Sequence, residues 1–194
     1  LGFLLGMKNL TVMQPACEAE VPYMLEYAVQ SNAPAAIRYP RGSSGASRRN
    51  DIPPAEPIEK PGCKVWRNGK DLAIHAVGAE AVRALEIADI LQKKYQLSAK
   101  VVNVRFLKPF AGDILLEDLQ KMPVFTLEDH IVETGFGAIA AQTAAKLTTP
   151  YKLKSFGISS GSDVSFGSID KLRKSLDLDT EHIAEAVFSV AKQA

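Results

Sequence analysis

Two arginines bracket a Tyr-Pro step in the stretch AAIRYPRGSSG, Ala35 to Gly45. A guanidinium is a planar fork that donates two parallel hydrogen bonds, which suits a phosphate or a carboxylate. Pro40 lacks an N–H and tends to end a strand, so Arg41 projects where a strand gives way to a Gly/Ser loop. Strand ends are where sheet proteins assemble their sites. The same two arginines also suit ion pairs across a surface, and residue types alone leave both readings open.

A second cluster, EDHIVETGFG (Glu128 to Gly137), sets two carboxylates beside His130, ahead of a Gly-x-Gly helix entry. Such a set serves general acid–base work or metal ligation. It equally serves to cap the following segment, with His130 in a structural hydrogen bond, and that is the expectation here. RFLKPF (Arg105 to Phe110) offers cations at a strand end, but Pro109 more simply terminates the strand. His75 sits inside the strand-like run DLAIHAV and His182 on the last helix, where packing and solvation account for them. Trp66, Phe106, Phe110 and Phe125 read as core and interface, with no interleaved basic stripe on which bases would stack.

The elements that must position these residues fall into two parts. Residues 7–13 read as a loop into a short strand, and CEAEVPYMLEYAVQ carries helical spacing at Val21, Met24, Leu25 and Ala28. Pro22 fits if the helix proper begins near Val21. Asn32-Ala33-Pro34 breaks it, and Ala35 to Tyr39 reads as a strand. Gly42 to Gly62 then holds four prolines and no periodicity, which marks a linker, placed at 46–62. Beyond it, Cys63 to Arg67 and Asp71 to Val77 flank Asn68-Gly69 and predict a β-hairpin with a type I′ turn. Strands at 99–104, 124–127 and 151–158 alternate with helices at 79–95, 113–120 and 135–147, and two closing helices lie near 169–176 and 181–192. This alternation predicts an α/β fold with a mostly parallel sheet covered on both faces.

The 194 residues are 46% hydrophobic and 23% charged, enough for one substantial core or one domain plus part of another. A net charge of +1 gives no global field toward nucleic acid or membrane, and neither is an expected partner. Cys17 and Cys63 lie in no metal-ligand spacing and fit a reducing compartment, with a single disulfide left open. No apolar run approaches the roughly 20 residues of a membrane span. The first residue is Leu1, and the reading is of a chain that starts inside a domain.

Taken in order, NLTVMQPACEAEVPYML, APAAIRYPRG, GCKVWRNGKDLAIHAVG, VVNVRFLKPF, FTLEDHIVETGFG and LRKSLDLDTEHI resemble the C-terminal part of the 1-deoxy-D-xylulose-5-phosphate synthase family, in the transketolase superfamily. The sequence departs from that family at Ala16, where relatives often carry Ser or Asp, and across Gly157 to Phe166. The resemblance implies the tail of a pyrimidine-binding α/β domain at 1–45, the linker at 46–62 and a three-layer α/β/α transketolase C-terminal domain at 63–194. It implies a transferase that uses thiamine diphosphate and Mg²⁺, decarboxylates pyruvate, and joins the product to D-glyceraldehyde 3-phosphate for isoprenoid precursor synthesis. Arg41 would bind the acceptor's phosphate, with Arg38 in a possible supporting role. No catalytic, cofactor or metal residue is assigned to this chain. The family's GDG-type motif does not occur in it, and the cofactor-activating glutamate would lie upstream of Leu1. The chain alone is therefore expected to be inactive. A homodimer and a cytoplasmic location (plastid in a plant) follow from the same resemblance. Two alternatives stay open: a transketolase-like or 2-oxo-acid dehydrogenase beta-type subunit, and a non-catalytic oligomerisation or regulatory α/β domain.

Overall fold

The computed structural model describes residues 1–40, 45–163 and 166–192. A short helix α1 (Gly2–Gly6) precedes strand β1 (Thr11–Met13), and helix α2 (Val21–Gln30) leads to strand β2 (Ala35–Ile37). Pro22 lies in the first turn of α2, where its missing N–H leaves no helical bond unmade. The larger part runs β3 (Cys63–Arg67), β4 (Leu72–Val77), α3 (Glu80–Tyr95), β5 (Ala99–Val104), β6 (Phe106–Lys108), α4 (Asp113–Lys121) and β7 (Val124–Ile131). It closes with α5 (Phe136–Ala144), β8 (Leu153–Ile158), α6 (Ile169–Ser175) and α7 (Thr180–Ala191).

Five strands form the main sheet in the order β3-β5-β4-β7-β8; β5, β4, β7 and β8 are parallel and β3 is an antiparallel edge. Successive residues of β4 face opposite layers. Leu72, Ile74 and Ala76 meet α3 and α7 through Leu85, Ala88, Ile183 and Val187. Ala73 and Val77 meet α4 and α5 through Leu115, Leu119, Ala140 and Ala144. This is the three-layer α/β/α arrangement, and both faces of β4 are buried because helices cover both sides.

The predicted hairpin does not form. β3 pairs with β5, not β4, so β5 lies between the two strands that the Asn68-Gly69 turn was expected to join. A type I′ turn needs positive φ at both central residues, and neither Asn68 nor Gly69 has it. The connection instead passes tightly over the start of β5, where the Lys70 and Asp71 amides both donate to the Ser98 carbonyl. A Cβ on Gly69 would lie 2.1 Å from the Lys100 amide nitrogen, so that contact tolerates only glycine. Gly69→Ala must displace backbone, and a loss of about 2–3 kcal/mol, roughly 5–10 °C in Tm, is expected by thermal unfolding.

A second sheet, β2-β1-β6, joins the two parts of the chain. β1 and β2 are parallel, and β6, from the RFLKPF segment, runs antiparallel to β1 and stops before Pro109. Phe106 is buried there with Met13 and Met24, its ring edge-on to Tyr27 at 5.2 Å between centroids. Trp66 and Phe125 are core residues of the main sheet. Between the parts, segment 46–62 packs Ala46 and Ile52 against the main core, and Lys64 donates to the Pro54 carbonyl at 2.8 Å.

Candidate functional site

Of the residues singled out in the sequence, Arg38, Glu128, Asp129 and His130 meet at the carboxyl end of β7. Glu128 is buried, and its Oε2 accepts from the Phe136 amide at 2.7 Å while Oε1 accepts from the Gly137 amide at 2.6 Å. It therefore satisfies the first free N–H groups of α5 and occupies the helix's positive end. A Cβ on Gly135 would sit 1.9 Å from Glu128 Oε2, so the glycine is what lets the carboxylate reach the amides. Burial pushes the Glu128 pKa up to about 7, with the two amide bonds opposing.

That shift has a definite sign. A carboxyl whose pKa is raised on folding binds its proton more tightly in the folded state, so its contribution weakens as pH rises from about 4.5 to about 7. Glu128→Gln removes the titration. The stability difference between the two proteins is expected to move toward the variant by on the order of 3 kcal/mol between pH 4.5 and 8, measured by urea unfolding.

Asp129 turns to the other part of the chain. Arg38, just past β2, donates to Asp129 Oδ1 at 2.5 Å and to the Asp129 carbonyl at 3.1 Å. His130 Nδ1 lies 3.2 Å from the Ile131 carbonyl oxygen, the structural bond expected of it, and burial lowers its pKa. Glu128, Asp129 and His130 thus do capping, pairing and backbone bonding. Among the described residues no group of three His, Cys, Asp or Glu side chains is placed to hold a metal ion. Arg41, the expected phosphate residue, lies outside the described residues. Its sequence neighbours Pro40 and Gly45 line a cleft of about 850 Å³, together with Glu128, Asp129, Arg83 and Arg173. Within that cleft, buried Glu80 at the start of α3 pairs with Arg83 and, at 2.6 Å, with Arg173 of α6.

A charged cluster that spacing did not reveal lies beneath the sheet. Asp118 of α4 is buried, with Oδ2 2.8 Å from His75 Nε2 and Oδ1 accepting from Lys100 Nζ at 2.6 Å. His75 Nδ1 has no hydrogen-bond partner among the described residues, so a second ring proton would be buried without an acceptor. Burial accordingly lowers the His75 pKa. His182, in contrast, is exposed on α7 and pairs with Asp179, which raises its pKa. Cys17 and Cys63 are both free thiols, and burial pushes Cys63 up to about 12, far from a reactive thiolate.

A three-layer sheet with this strand order, tied through the β2-β1-β6 sheet to a β1-α2-β2 unit, defines a class. The family described as "Transketolase, C-terminal domain" matches residues 62–183, and the chain belongs to it. More particularly, the chain is 30% identical over 192 residues to the 1-deoxy-D-xylulose-5-phosphate synthase of Clostridium acetobutylicum, covering 97% of this chain and 30% of that protein. It is 36% identical over 140 residues to the synthase of the same name from Halothermothrix orenii, covering 71% of this chain and 21% of that protein. Among solved structures, a split-gene transketolase in an inactive beta4 tetramer superposes with a TM-score of 0.86 at 26% identity, covering 99% of this chain and 61% of that one. The chain thus spans about a third or less of the length of these curated synthases. No helix among the described residues is long and apolar enough to cross a membrane.

Proposed function

We propose that this chain is the C-terminal part of a 1-deoxy-D-xylulose-5-phosphate synthase, which decarboxylates pyruvate and condenses the two-carbon unit with D-glyceraldehyde 3-phosphate. The observation that carries the reading is the match of nearly the whole chain, both parts and the segment between them, to synthases of that name. In this reading residues 1–45 close a pyrimidine-binding domain, 46–62 connect, and 63–194 form the C-terminal domain. The assembled enzyme would be a cytoplasmic homodimer.

Thiamine diphosphate supplies the carbanion chemistry in such an enzyme. In this reading both groups, the cofactor and its Mg²⁺, bind mainly to a segment like the upstream part of the curated relatives, and no chemical step is assigned to this chain. Its own contribution is binding. Arg41 holds the acceptor's phosphate in this reading, because a guanidinium fork suits two phosphate oxygens. The Arg38 guanidinium is already engaged by Asp129, so its support is structural.

A second reading has one observation in its favour: the split-gene transketolase is built from a separate subunit with this fold. Reconstitution separates the two. This chain, supplied with the upstream portion, thiamine diphosphate and Mg²⁺, should form product from pyruvate and D-glyceraldehyde 3-phosphate, and none when alone. Turnover of a ketose donor in place of pyruvate would favour the split transketolase.

A further inference from the structure

Helix α4 buries only two apolar side chains against the main sheet, Leu115 and Leu119. Helix α3, on the opposite face, buries a full stripe from Ala81 through Leu85 and Ala88 to Leu91. The third buried residue of α4 is Asp118, which ties the helix to two strands. One carboxylate oxygen meets His75 Nε2 of β4 at 2.8 Å, and the other accepts from Lys100 Nζ of β5 at 2.6 Å. No side chain caps the start of α4 at Gly112. The polar tie is therefore a large part of what holds this helix down.

The surroundings of His75 accommodate one ring proton. The ring is fully buried, and with Nε2 donating to the Asp118 carboxylate, Nδ1 is a bare acceptor with no partner among the described residues. Thr126, in register with His75 on β7, makes no bond to it, its own hydroxyl being unpartnered there as well. The charged groups that face the ring are Asp118 from α4 and Lys100 from β5. On β7 the next carboxylate along this face is Glu128, and both its oxygens are committed to the α5 amides. Helix α5, Phe136–Ala144, carries no titratable side chain, and Glu117 and Lys121 of α4 pair with each other in solvent. Burial accordingly holds the His75 pKa below its ordinary 6.5. A second proton is accepted freely only when the ring leaves this layer, and α4 is the element that covers it.

We propose that α4 is an acid-released helix: falling pH opens it from the main sheet, with His75 taking up one proton in the opened form, while α3 and α7 stay packed on the opposite face. The open form binds a proton that the closed form excludes. Below pH 6.5 each unit of acidification therefore multiplies the open population by about tenfold. The device is independent of the reaction proposed above.

Native-state hydrogen exchange on the wild-type chain reads the opening directly. The amides to follow are those of Leu116 and Met122, bonded to the Gly112 and Asp118 carbonyls, with the amides inside α3 as internal standard. After correction for intrinsic rates, protection in α4 should fall roughly 30-fold relative to α3 between about pH 7.5 and 5. His75→Gln keeps an N–H for Asp118 but cannot titrate, so its α4 protection should not depend on pH over that range. Nitrogen NMR shifts of the wild-type ring give a readout that needs no variant: in the closed protein His75 should stay neutral, protonated at Nε2 alone. Protection in α4 that ignores pH overturns the proposal. So does a fall in step with α3, because the whole domain then unfolds together. An equal fall in His75→Gln, or a doubly protonated His75 ring in the closed protein at about pH 6, overturns it by assigning the proton elsewhere.

Discussion

Replacing Arg41 by alanine is expected to raise KM for D-glyceraldehyde 3-phosphate in the reconstituted enzyme by roughly 30- to 150-fold. This corresponds to the loss of a charge-assisted contact of about 2–3 kcal/mol. A guanidinium fork matches two phosphate oxygens, and no other group of this chain is proposed to touch the substrate. Two controls give the prediction its edge. Arg41→Lys keeps the charge but loses the fork, and its KM should fall between alanine and wild type. D-Glyceraldehyde, which lacks the phosphate, should be used equally poorly by all three proteins. A KM for the phosphorylated acceptor that ignores Arg41→Ala would remove the site while leaving the synthase reading standing.

The largest effect on stability is expected from Asp118. Its carboxylate neutralises Lys100 and accepts from His75, all within a layer where Asp118 is 2% exposed and His75 fully buried. Burial alone would raise the Asp118 pKa, but the bonds from His75 and Lys100 outweigh it and the carboxyl lies below its ordinary value. Asp118→Ala leaves Lys100 and His75 without their partner beneath the sheet. A loss of about 3–5 kcal/mol, of order 10 °C or more in Tm, should appear in thermal unfolding. Replacing all three by apolar residues of similar volume should recover most of it, because the desolvation cost leaves with the charges. The pH dependence has the opposite sign to that of Glu128. Both His75 and Asp118 have lowered pKa values, so the unfolded chain binds more protons than the folded one on acidification. Their contribution is complete above the ordinary histidine value of 6.5 and is lost as pH falls below it. An Asp118→Ala protein whose midpoint matches wild type would show the network to be energetically idle.

The contrast between these two residues shows what spacing conveys. Arg41 was singled out because strand, proline and loop are adjacent in sequence, and adjacency survives without coordinates. The helices and parallel strands were legible for a similar reason. The 3.6-residue period of α3 and the continuous apolar run of β4 are local records of which faces are buried. Glu128 was legible as a cap because the helix it caps begins eight residues later. The hairpin was misread because Asn-Gly between two strands is locally persuasive. What overruled it was the close passage of Gly69 over β5, a contact with residues some thirty positions away.

By itself, then, the sequence determined the α/β class, most of the succession of elements and the chemistry available at the RYPRG stretch. These depend on burial periodicity and on residues whose backbone limits act locally. Tertiary structure alone decided the strand order β3-β5-β4-β7-β8, the β1–β6 pairing that joins the two parts, and every long-range charge pair described above. Arg38 and Asp129 are 91 residues apart, and His75 and Asp118 are 43 apart. Nothing local couples such pairs: a carboxylate is an equally good partner for any cation, and only the folded chain determines which one it meets.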